Sequence, residues 1–263
     1  MNAYEKLKAA RSQSRPTAKC YIEKIISKPI EFHGDRRFAD DPAMVCGVGY
    51  LGTIPVTYIA TERGADMEER VRRNFGCPKP EGYRKALRLM KQAEKFGRPV
   101  ITFVDTSGAF CGKDAEERGQ GQAIAENLTA MMGLKVPILT VVIGEGESGG
   151  ALGIAVSDRV YMLENAVYSV ISPEGCASIL WKDSGRAPEM ADHLKITAEH
   201  MKQFGVVERI IPEQFDRFSA MCLGMKRMLS KDVKRLLEMD VESLKRRRYG
   251  RFRKIGDVEQ GQR

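Results

Sequence analysis

Apolar residues in the middle of the chain follow two different periods. From residue 86 to residue 96 they recur at helical spacing, which predicts a helix that ends at Gly97. Elsewhere they form short, nearly continuous runs, which predict buried strands separated by further helices. The predicted strands are 43–52, 54–59, 100–104, 136–143, 160–163 and 167–171, and the predicted helices between them are 116–132 and 149–156.

The order of these elements indicates the fold class. The first two strands are separated only by residues 52–53, which predicts a hairpin. Apolar strands that then alternate with helices indicate an α/β fold whose parallel strands are covered on both faces. We expect residues 1–40 to be a helical or irregular lead-in and residues 61–75 to be an exposed loop or short helix. After Pro173 we expect mainly helix, apart from 206–211, in one domain with helical extensions at both ends.

Composition places the chain among globular proteins. The sequence has 263 residues, of which 43% are hydrophobic and 30% charged, which is enough for one well-packed core. No apolar run approaches the roughly 20 residues that a membrane helix needs, and the start of the chain is polar and basic. We therefore expect no membrane segment, no signal peptide and a cytoplasmic location. The six cysteines are widely spaced and form no Cys-x-x-Cys motif, so we expect reduced thiols and no metal site in this chain.

Positive charge is concentrated near the end of the chain. The formal net charge is +8, and residues 245–248, together with Arg251, Arg253 and Lys254, supply much of it. One interpretation is a nucleic-acid surface. The other is a solvated helix end or a docking face for an acidic partner. We favour the second interpretation and expect no nucleic-acid partner, because charges of both signs are mixed in the rest of the chain.

Two glycine-containing turns are predicted to follow strands, at 104–110 and at 144–150. In parallel α/β folds, ligands bind at the carboxyl ends of strands. A helix that starts there offers unpaired N–H groups and the positive end of its dipole. Both turns are therefore candidate sites.

The second turn matches the nucleophile-elbow pattern Gly-x-Ser-x-Gly, with Ser148 as the nucleophile. A catalytic triad would also need a histidine and an acid. The chain has only His33, His193 and His200, and the last two lie in polar helical stretches, with Asp192 beside His193. Neither follows a strand, where a triad histidine belongs, so we expect no serine hydrolase.

Three other interpretations of this turn remain. A phosphate-binding loop would need the lysine and hydroxyl residue of a P-loop, which are missing, and the Gly-x-Gly-x-x-Gly match at Gly144, Gly146 and Gly149 comes late in the chain. An oxyanion hole would use the backbone N–H groups of Gly149, Gly150 and Ala151, each contributing about 3 kcal/mol to the transition state. Alternatively, the glycines serve only tight packing between a helix and a strand.

Six segments of the chain carry a family resemblance: Asn74-Phe75-Gly76, 80–90, Asp105-Thr106-Ser107-Gly108-Ala109, 115–120, 144–150 and 168–181. Together they resemble the carboxyltransferase alpha subunit of bacterial multi-subunit acetyl-CoA carboxylase. The resemblance covers residues 32–251.

This resemblance implies a crotonase-like (ClpP/crotonase) α/β fold of repeated ββα units. It also implies a chemistry: transfer of the carboxyl group from carboxybiotin, held on biotin carboxyl carrier protein, to acetyl-CoA. The product would be malonyl-CoA, in the first committed step of fatty acid biosynthesis. The expected partners are a zinc-bearing beta subunit in an α₂β₂ heterotetramer, the carrier protein and biotin carboxylase. The domain division would be a lead-in at 1–31, the carboxyltransferase domain at 32–251 and a basic, polar tail at 252–263.

The resemblance also implies roles for the residues of both turns. Gly149 and Gly150 would be the catalytic oxyanion hole, facing the ureido oxygen of biotin. Gly108 and Ala109 would line the same pocket, and Gly146 and Ala151 would complete the substrate-binding residues. During carboxyl transfer, negative charge develops on an oxygen of the biotin ring and on the oxygen of the acetyl thioester. Both half-reactions therefore need N–H donors. In the family the biotin ring nitrogen can take the proton, so a side-chain base is not required.

The chain departs from the family pattern at several positions. The family often has Pro at Ser107, Tyr-Pro at Phe110-Cys111 and Gly at Glu147. A carboxylate at Glu147 would oppose an oxyanion hole, so we expect this side chain to point away from the anion. An enoyl-CoA hydratase or isomerase of the same fold, which would act without a partner, is the alternative enzyme.

Glu116, Glu117 and Arg118 are the side chains that invite an acid–base role. They also stand where a helix is predicted to begin. Capping and ion pairing at a helix start is the interpretation that we favour.

Overall fold

One mixed sheet of eight strands runs through the computed structural model, which describes residues 1–256. The strands are β1 (Ser27–Glu31), β2 (Met44–Leu51), β3 (Ile54–Thr61), β4 (Val100–Thr106), β5 (Ile138–Glu147), β6 (Arg159–Leu163), β7 (Val167–Ser169) and β8 (Arg209–Ile211). The α-helices are α1 (Ala3–Ala10), α2 (Ala18–Ile25), α3 (Met67–Arg72), α4 (Pro80–Lys95), α5 (Lys113–Glu117), α6 (Gln120–Gly133), α7 (Ser148–Leu152), α8 (Pro173–Trp181), α9 (Ala187–His193), α10 (Ala198–Gln203), α11 (Phe218–Leu237) and α12 (Val241–Lys254).

The sheet order is β1-β2-β3-β4-β5-β6-β8, and β7 pairs with the carboxyl end of β5. The pairs β1–β2 and β2–β3 are antiparallel, whereas all pairs from β3 onward are parallel. Two strands followed by helix occur twice: β2 and β3 precede α3 and α4, and β6 and β7 precede α8. The predicted hairpin and the predicted parallel α/β arrangement are both present.

Strand β5 pairs with three strands, β4, β6 and β7, and is longer than its apolar run. The run predicted a strand over 136–143, but β5 continues to Glu147, and all ten of its residues are buried. Residues 139–142 pair with β6, and residues 145–147 pair with β7. The extension was missed because glycine and glutamate are poor strand formers by propensity. In the structure, the neighbouring strands β4 and β7 supply the backbone hydrogen bonds of this extension.

Three further predictions were wrong in their boundaries. The helix expected over 116–132 is divided into α5 and α6 at Gly119, whose φ of +81° lies in the left-handed region. The helix expected over 149–156 ends at Leu152. The lead-in contains a strand, β1, which was not predicted because its exposed residues lack apolar alternation and include Pro29, as is typical of an edge strand.

Helix α4 has the clearest amphipathic pattern. Pro80 occupies its first turn, where a missing N–H costs nothing, and Gly97 follows its end. Its apolar residues face the sheet and α6, with Tyr83, Leu89 and Met90 fully buried. This helix therefore connects the core to the turns that follow β4 and β5.

One predicted domain boundary falls at the end of a strand, and the other falls inside a helix. Residue 31 ends β1, so part of the lead-in belongs to the sheet, and residue 252 lies within α12. Residues 257–263 of the predicted tail lie outside the described residues. Two residues of the basic stretch are paired internally: Arg248 is fully buried against Asp158, and Arg251 donates to Glu208 at 2.8 Å.

Candidate active site

The turn between β5 and α7 has no intervening residue. Glu147 ends the strand and Ser148 begins the helix, with a φ of 57° that is strained for a residue with a side chain. The first N–H groups of such a helix have no partner within the helix. Two side chains from other helices fix the position of α7. The Tyr83 hydroxyl donates to the Gly150 carbonyl at 3.0 Å, and Asn127 donates to the Gly153 carbonyl at 3.0 Å.

The structure brings the two glycine turns into contact. A Cβ atom added to Gly150 would lie 2.4 Å from the Ala109 nitrogen and 2.4 Å from the Gly108 carbonyl carbon. Only a glycine therefore allows the backbones to approach this closely. The Gly108 turn is rigid in its own right, since Thr106 Oγ1 accepts from the Gly108 N–H at 3.1 Å and donates to the Gly108 carbonyl at 2.7 Å.

A largely apolar cavity of about 320 Å³ lies beside this contact. Ser148 and Gly149 form part of its wall, so the start of α7 is open to the cavity. We call it the α7 cavity. Its lining consists of Ser148, Gly149, Leu152, Tyr168, Ser169, Val170, Leu194, Met201 and Val206.

The remaining residues of the predicted site have different surroundings. Gly150 is buried against the first turn, and Ala109 is half-buried. Gly146 lies against the Tyr168 ring, where an added Cβ would come within 2.7 Å. Ala151 is fully buried in the core. The structure therefore brings Gly108, Ala109 and Gly150 together, but it places Gly146 and Ala151 in packing positions behind the cavity wall.

Charged side chains collect at the carboxyl ends of β4 and β5. Arg11 donates to Glu145 and Glu174, both at 2.7 Å. Arg63 also donates to Glu145, and its Nε lies 3.2 Å from Asp105 Oδ1. We call this group the strand-end cluster. Its members are Arg11, Arg63, Asp105, Glu145, Glu147 and Glu174.

Two carboxyl groups of the strand-end cluster have raised pKa values. Burial raises the pKa of Asp105 above its ordinary value. Burial, with a contribution from the negative charge of Glu145, raises the pKa of Glu147 to about 8. Glu147 therefore holds its proton to a higher pH than an exposed glutamate does. Its side chain does not cap α7, and its nearest cation is Arg11, 3.9 Å away.

The histidines are engaged away from Ser148. His33 contacts Asp40 at 3.0 Å, His193 contacts the Glu189 carbonyl at 2.8 Å, and His200 contacts Thr197 at 3.0 Å. None of the hydrogen bonds within residues 1–256 joins a histidine to the Ser148 hydroxyl. The turn has the strained backbone of a nucleophile elbow without the rest of a triad.

Two of the candidate acid–base residues after the first turn, Glu117 and Arg118, form ion pairs. Arg118 donates to Glu81 at 3.1 Å and to Asp114 at 3.2 Å, and Glu117 lies 3.6 Å from Lys113. Glu116 is exposed to solvent. These contacts favour the structural interpretation of this segment.

The described residues contain neither a disulfide nor a candidate metal site. All six cysteines are free, and no group of three or more potential ligands comes together among residues 1–256. Within the same range, no helix has the length and apolar character needed to cross a bilayer.

Comparison with known proteins assigns the chain to a family. A family model described as acetyl co-enzyme A carboxylase carboxyltransferase-like matches residues 1–256. The chain is 55% identical over 260 residues to an acetyl-coenzyme A carboxylase carboxyl transferase subunit alpha from Ruminiclostridium cellulolyticum, an alignment that covers 99% of this chain and 100% of that protein. The chain belongs to the carboxyltransferase alpha subunits of acetyl-CoA carboxylase. The family and the enzyme class predicted from the sequence are confirmed.

Two further proteins are similar to this chain, one in sequence and one in fold. It is 54% identical over 260 residues to a protein from Natranaerobius thermophilus named as subunits beta/alpha, covering 97% of this chain and 43% of that one. A solved transcarboxylase 12S structure superposes with a TM-score of 0.66 at 19% identity, covering 83% of this chain and 42% of the other. The crotonase-like carboxyltransferase fold is confirmed by this superposition.

Sequence reasoning missed the strand-end cluster. Asp105 and Glu145 carried a usable signal, since both are carboxylates at the carboxyl ends of predicted strands. Arg11 and Arg63 carried none, because they lie in segments far from either turn in sequence. Tyr168, Leu194 and Met201 were likewise not recognised as cavity residues, because their apolar character predicts burial in general rather than a particular wall.

Proposed function

We propose that this alpha subunit transfers the carboxyl group of carboxybiotin, carried on biotin carboxyl carrier protein, to acetyl-CoA, giving malonyl-CoA for fatty acid biosynthesis. The observation that carries the proposal is the contact between the Gly108–Ala109 turn and Gly150, whose chain neighbour Gly149 lines the α7 cavity. Membership of the family supports the substrates.

The residues present fit a biotin ring. The walls of the α7 cavity are mostly apolar, which suits the hydrocarbon part of the ring system, while the start of α7 offers N–H donors that suit a ureido oxygen. When bound, carboxybiotin supplies the carboxyl group. The N–H groups of Gly149 and Gly150 then stabilise negative charge on oxygen, at about 3 kcal/mol for each donor. Leu152, Leu194 and Met201 exclude water and so strengthen that interaction.

The assembly is part of the proposal. We propose a zinc-bearing beta subunit as the partner that completes the site in an α₂β₂ heterotetramer, with biotin carboxylase regenerating carboxybiotin in the cytoplasm. The beta/alpha name of the Natranaerobius thermophilus relative supports association with a beta subunit. Val170 on the cavity wall is 75% exposed, and Ile179 and Leu180 on α8 are 61% and 65% exposed, as expected for surfaces that a partner covers.

The test is reconstitution. The full chain is assayed for malonyl-CoA formation from acetyl-CoA and carboxybiotin, alone and with a beta subunit. We expect turnover only with the partner. Hydration of crotonyl-CoA by the chain alone is the parallel assay. Hydratase activity without a partner, or no carboxyl transfer with one, would contradict the proposal.

A further inference from the structure

The register between β4 and β5 changes just before the two glycine turns. Val104 pairs with Val142, and the next pair along the two strands is Thr106 with Gly146. One residue of β4, Asp105, therefore lies opposite three residues of β5. Such a β-bulge leaves the extra residues without ladder partners and bends the strand. Their backbone groups must find hydrogen bonds elsewhere.

Side chains supply hydrogen bonds to the bulge. Asp105 Oδ1 accepts from the Glu145 N–H at 2.9 Å. The Ile143 carbonyl accepts from Arg15 at 2.8 Å. The Asp105 carboxyl group fits here because Gly144 has no side chain, and a Cβ added to Gly144 would lie 2.2 Å from Oδ1. Asp105 thus fills the bulge from the side of β4.

Asp105 is itself held by neighbours from the β3 side. Its N–H donates to the Thr61 hydroxyl at 2.7 Å, at the end of β3. Arg63 Nε lies 3.2 Å from Oδ1, the same atom that accepts from Glu145. Arg63 also contacts the Glu145 carboxylate. Because Asp105 is buried, these contacts hold its side chain in the bulge.

The pair that follows the bulge relates the two turns to each other. Thr106 holds the Gly108 turn through two hydrogen bonds of its hydroxyl, and its partner Gly146 precedes the start of α7 by two residues. A Cβ added to Gly150 would lie 2.4 Å from the Gly108 carbonyl carbon. A register change of one residue moves one strand by about 3.3 Å along the other. The offset between β4 and β5 therefore determines whether the turns meet.

We infer that Asp105 is a positioning residue of the carboxyltransferase site. Its side-chain oxygen takes the place of a β4 acceptor for the Glu145 N–H, and so fixes the offset at which the Gly108–Ala109 turn meets Gly150. The inference rests on the proposed function, in which the N–H groups of Gly149 and Gly150 are the donors that this offset places. Asp105 acts through the backbone of β5 and exchanges no proton with substrate.

The first experiment compares Asp105→Ala with Asp105→Asn in the full chain assembled with its beta subunit. Alanine removes the acceptor, whereas asparagine keeps Oδ1, the oxygen that contacts both Glu145 and Arg63. We expect Asp105→Ala to lower kcat at least about tenfold, because misplaced donors stabilise the transition state less. KM for acetyl-CoA should stay within about twofold of wild type. Asp105→Asn should restore kcat to within about threefold of wild type.

Asp35→Ala is the matched structural control. Asp35 is also buried, accepts from three backbone N–H groups at 2.7 to 3.1 Å and pairs with Arg84, but it lies in the loop between β1 and β2. We expect this variant to lose stability in urea unfolding while its kcat stays within about twofold of wild type. Equal losses of kcat in Asp35→Ala and Asp105→Ala would overturn the inference. Wild-type kcat in folded Asp105→Ala would do the same.

Gly144→Ala tests the same contact from β5. Its methyl group would displace the Asp105 carboxyl group, so kcat should fall as in Asp105→Ala. In the Asp105→Ala background the methyl group enters vacated space, and we expect Gly144→Ala to lower kcat by no more than about twofold further. Losses of kcat that multiply in the double variant would contradict the inference. Gly144→Ala also carries the kinetic test should Asp105→Ala fail to fold.

Hydrogen exchange separates the inference from the proposed function. Absence of carboxyl transfer by the wild-type assembly would contradict the proposed function. The role of Asp105 would then be decided by amide exchange in peptides that contain 106–110 and 146–150. Asp105→Ala should accelerate this exchange at least about tenfold, and Asp35→Ala should not. Unchanged exchange in folded Asp105→Ala would overturn the inference.

Discussion

Gly149 and Gly150 are neighbours in the chain, but their surroundings differ. Gly149 lies on the wall of the α7 cavity, and an added Cβ would come no closer than 3.6 Å to Ile124. Gly150 faces the backbone of the first turn at a distance that only glycine permits. At Gly150, the absence of a side chain allows the two backbones to pack together. At Gly149, it leaves the backbone accessible from the α7 cavity.

Gly150→Ala should reduce turnover at least tenfold and lower the free energy of unfolding by about 1–3 kcal/mol, because the added methyl must displace Gly108 and Ala109. Gly149→Ala is the matched variant. Its methyl has room beside Ile124, so its stability should stay close to wild type and its turnover should fall less. Carboxyl-transfer assays and urea unfolding measure both effects. Equal effects in the two variants would contradict the packing explanation.

Ser148→Ala should retain turnover within about tenfold of wild type. The hydroxyl is exposed, and His33, His193 and His200 are engaged elsewhere, so nothing activates the serine as a nucleophile. Steady-state kinetics with the beta subunit give the measurement. Complete loss of turnover in a folded variant that still binds substrate would instead support a nucleophile elbow.

At the scale of elements, the buried side chain of Arg248 makes most of the hydrogen bonds that hold helix α12 on the fold. Arg248 donates to Asp158 at 2.9 and 2.7 Å, and its remaining N–H groups reach the carbonyls of Met131, Leu134 and Val136 at 2.7 to 2.9 Å. These carbonyls lie at the end of α6 and in the connection to β5. The guanidinium of Arg248 therefore joins α12 to the end of α6 and to the connections that precede β5 and β6.

Arg248→Met should lower the free energy of unfolding by about 3–5 kcal/mol, because it leaves the Asp158 carboxylate buried without its partner. Urea unfolding monitored by circular dichroism measures this loss. Arg247→Met, at an exposed neighbour, should change stability by no more than about 0.5 kcal/mol. Adding Asp158→Asn to Arg248→Met should cost less than the sum of the single changes. A strictly additive result would contradict the pairing.

The elements that could be predicted were those determined by local pattern. The β2–β3 hairpin and β4 follow from apolar runs, and α4 follows from a 3.6-residue period that ends at Gly97, although α4 begins at Pro80, before the predicted period, and β4 continues to Thr106. Strand β1 and the last four residues of β5 could not be predicted, because their strand conformation depends on pairing with β2 and β7. Their own side chains favour no such structure.

At the scale of the whole molecule, the lead-in packs against the carboxyl end of β5. Arg11 reaches Glu145, and Arg15 donates to the Ile143 carbonyl at 2.8 Å and to Glu213 at 2.6 Å. Segments from both ends of the chain thus meet at the carboxyl end of β5. The crotonase-like domain and its extensions are consequently one packed unit around the candidate site.

The basic stretch near the end of α12 should not bind nucleic acid. The formal charge of +8 includes Arg248 and Arg251, whose charges are taken up by Asp158 and Glu208 within the fold. Fluorescence anisotropy with duplex DNA should give no saturable binding at micromolar protein in about 150 mM salt. Binding with a steep salt dependence, abolished by replacing residues 245–247 with alanine, would contradict this expectation.

The sequence by itself determined the alternation of strands and helices, the two glycine turns at strand ends and the family, because each is encoded in contiguous residues. Only the tertiary structure decided that Gly150 rests on the Gly108–Ala109 backbone, and that Arg11 and Arg63 converge on Glu145. Local periodicity predicts whether a residue is buried, but it does not predict which residue, distant in sequence, it contacts. The raised pKa of Glu147 belongs to the second kind of information, since it arises from burial among groups contributed by segments remote from one another in the chain.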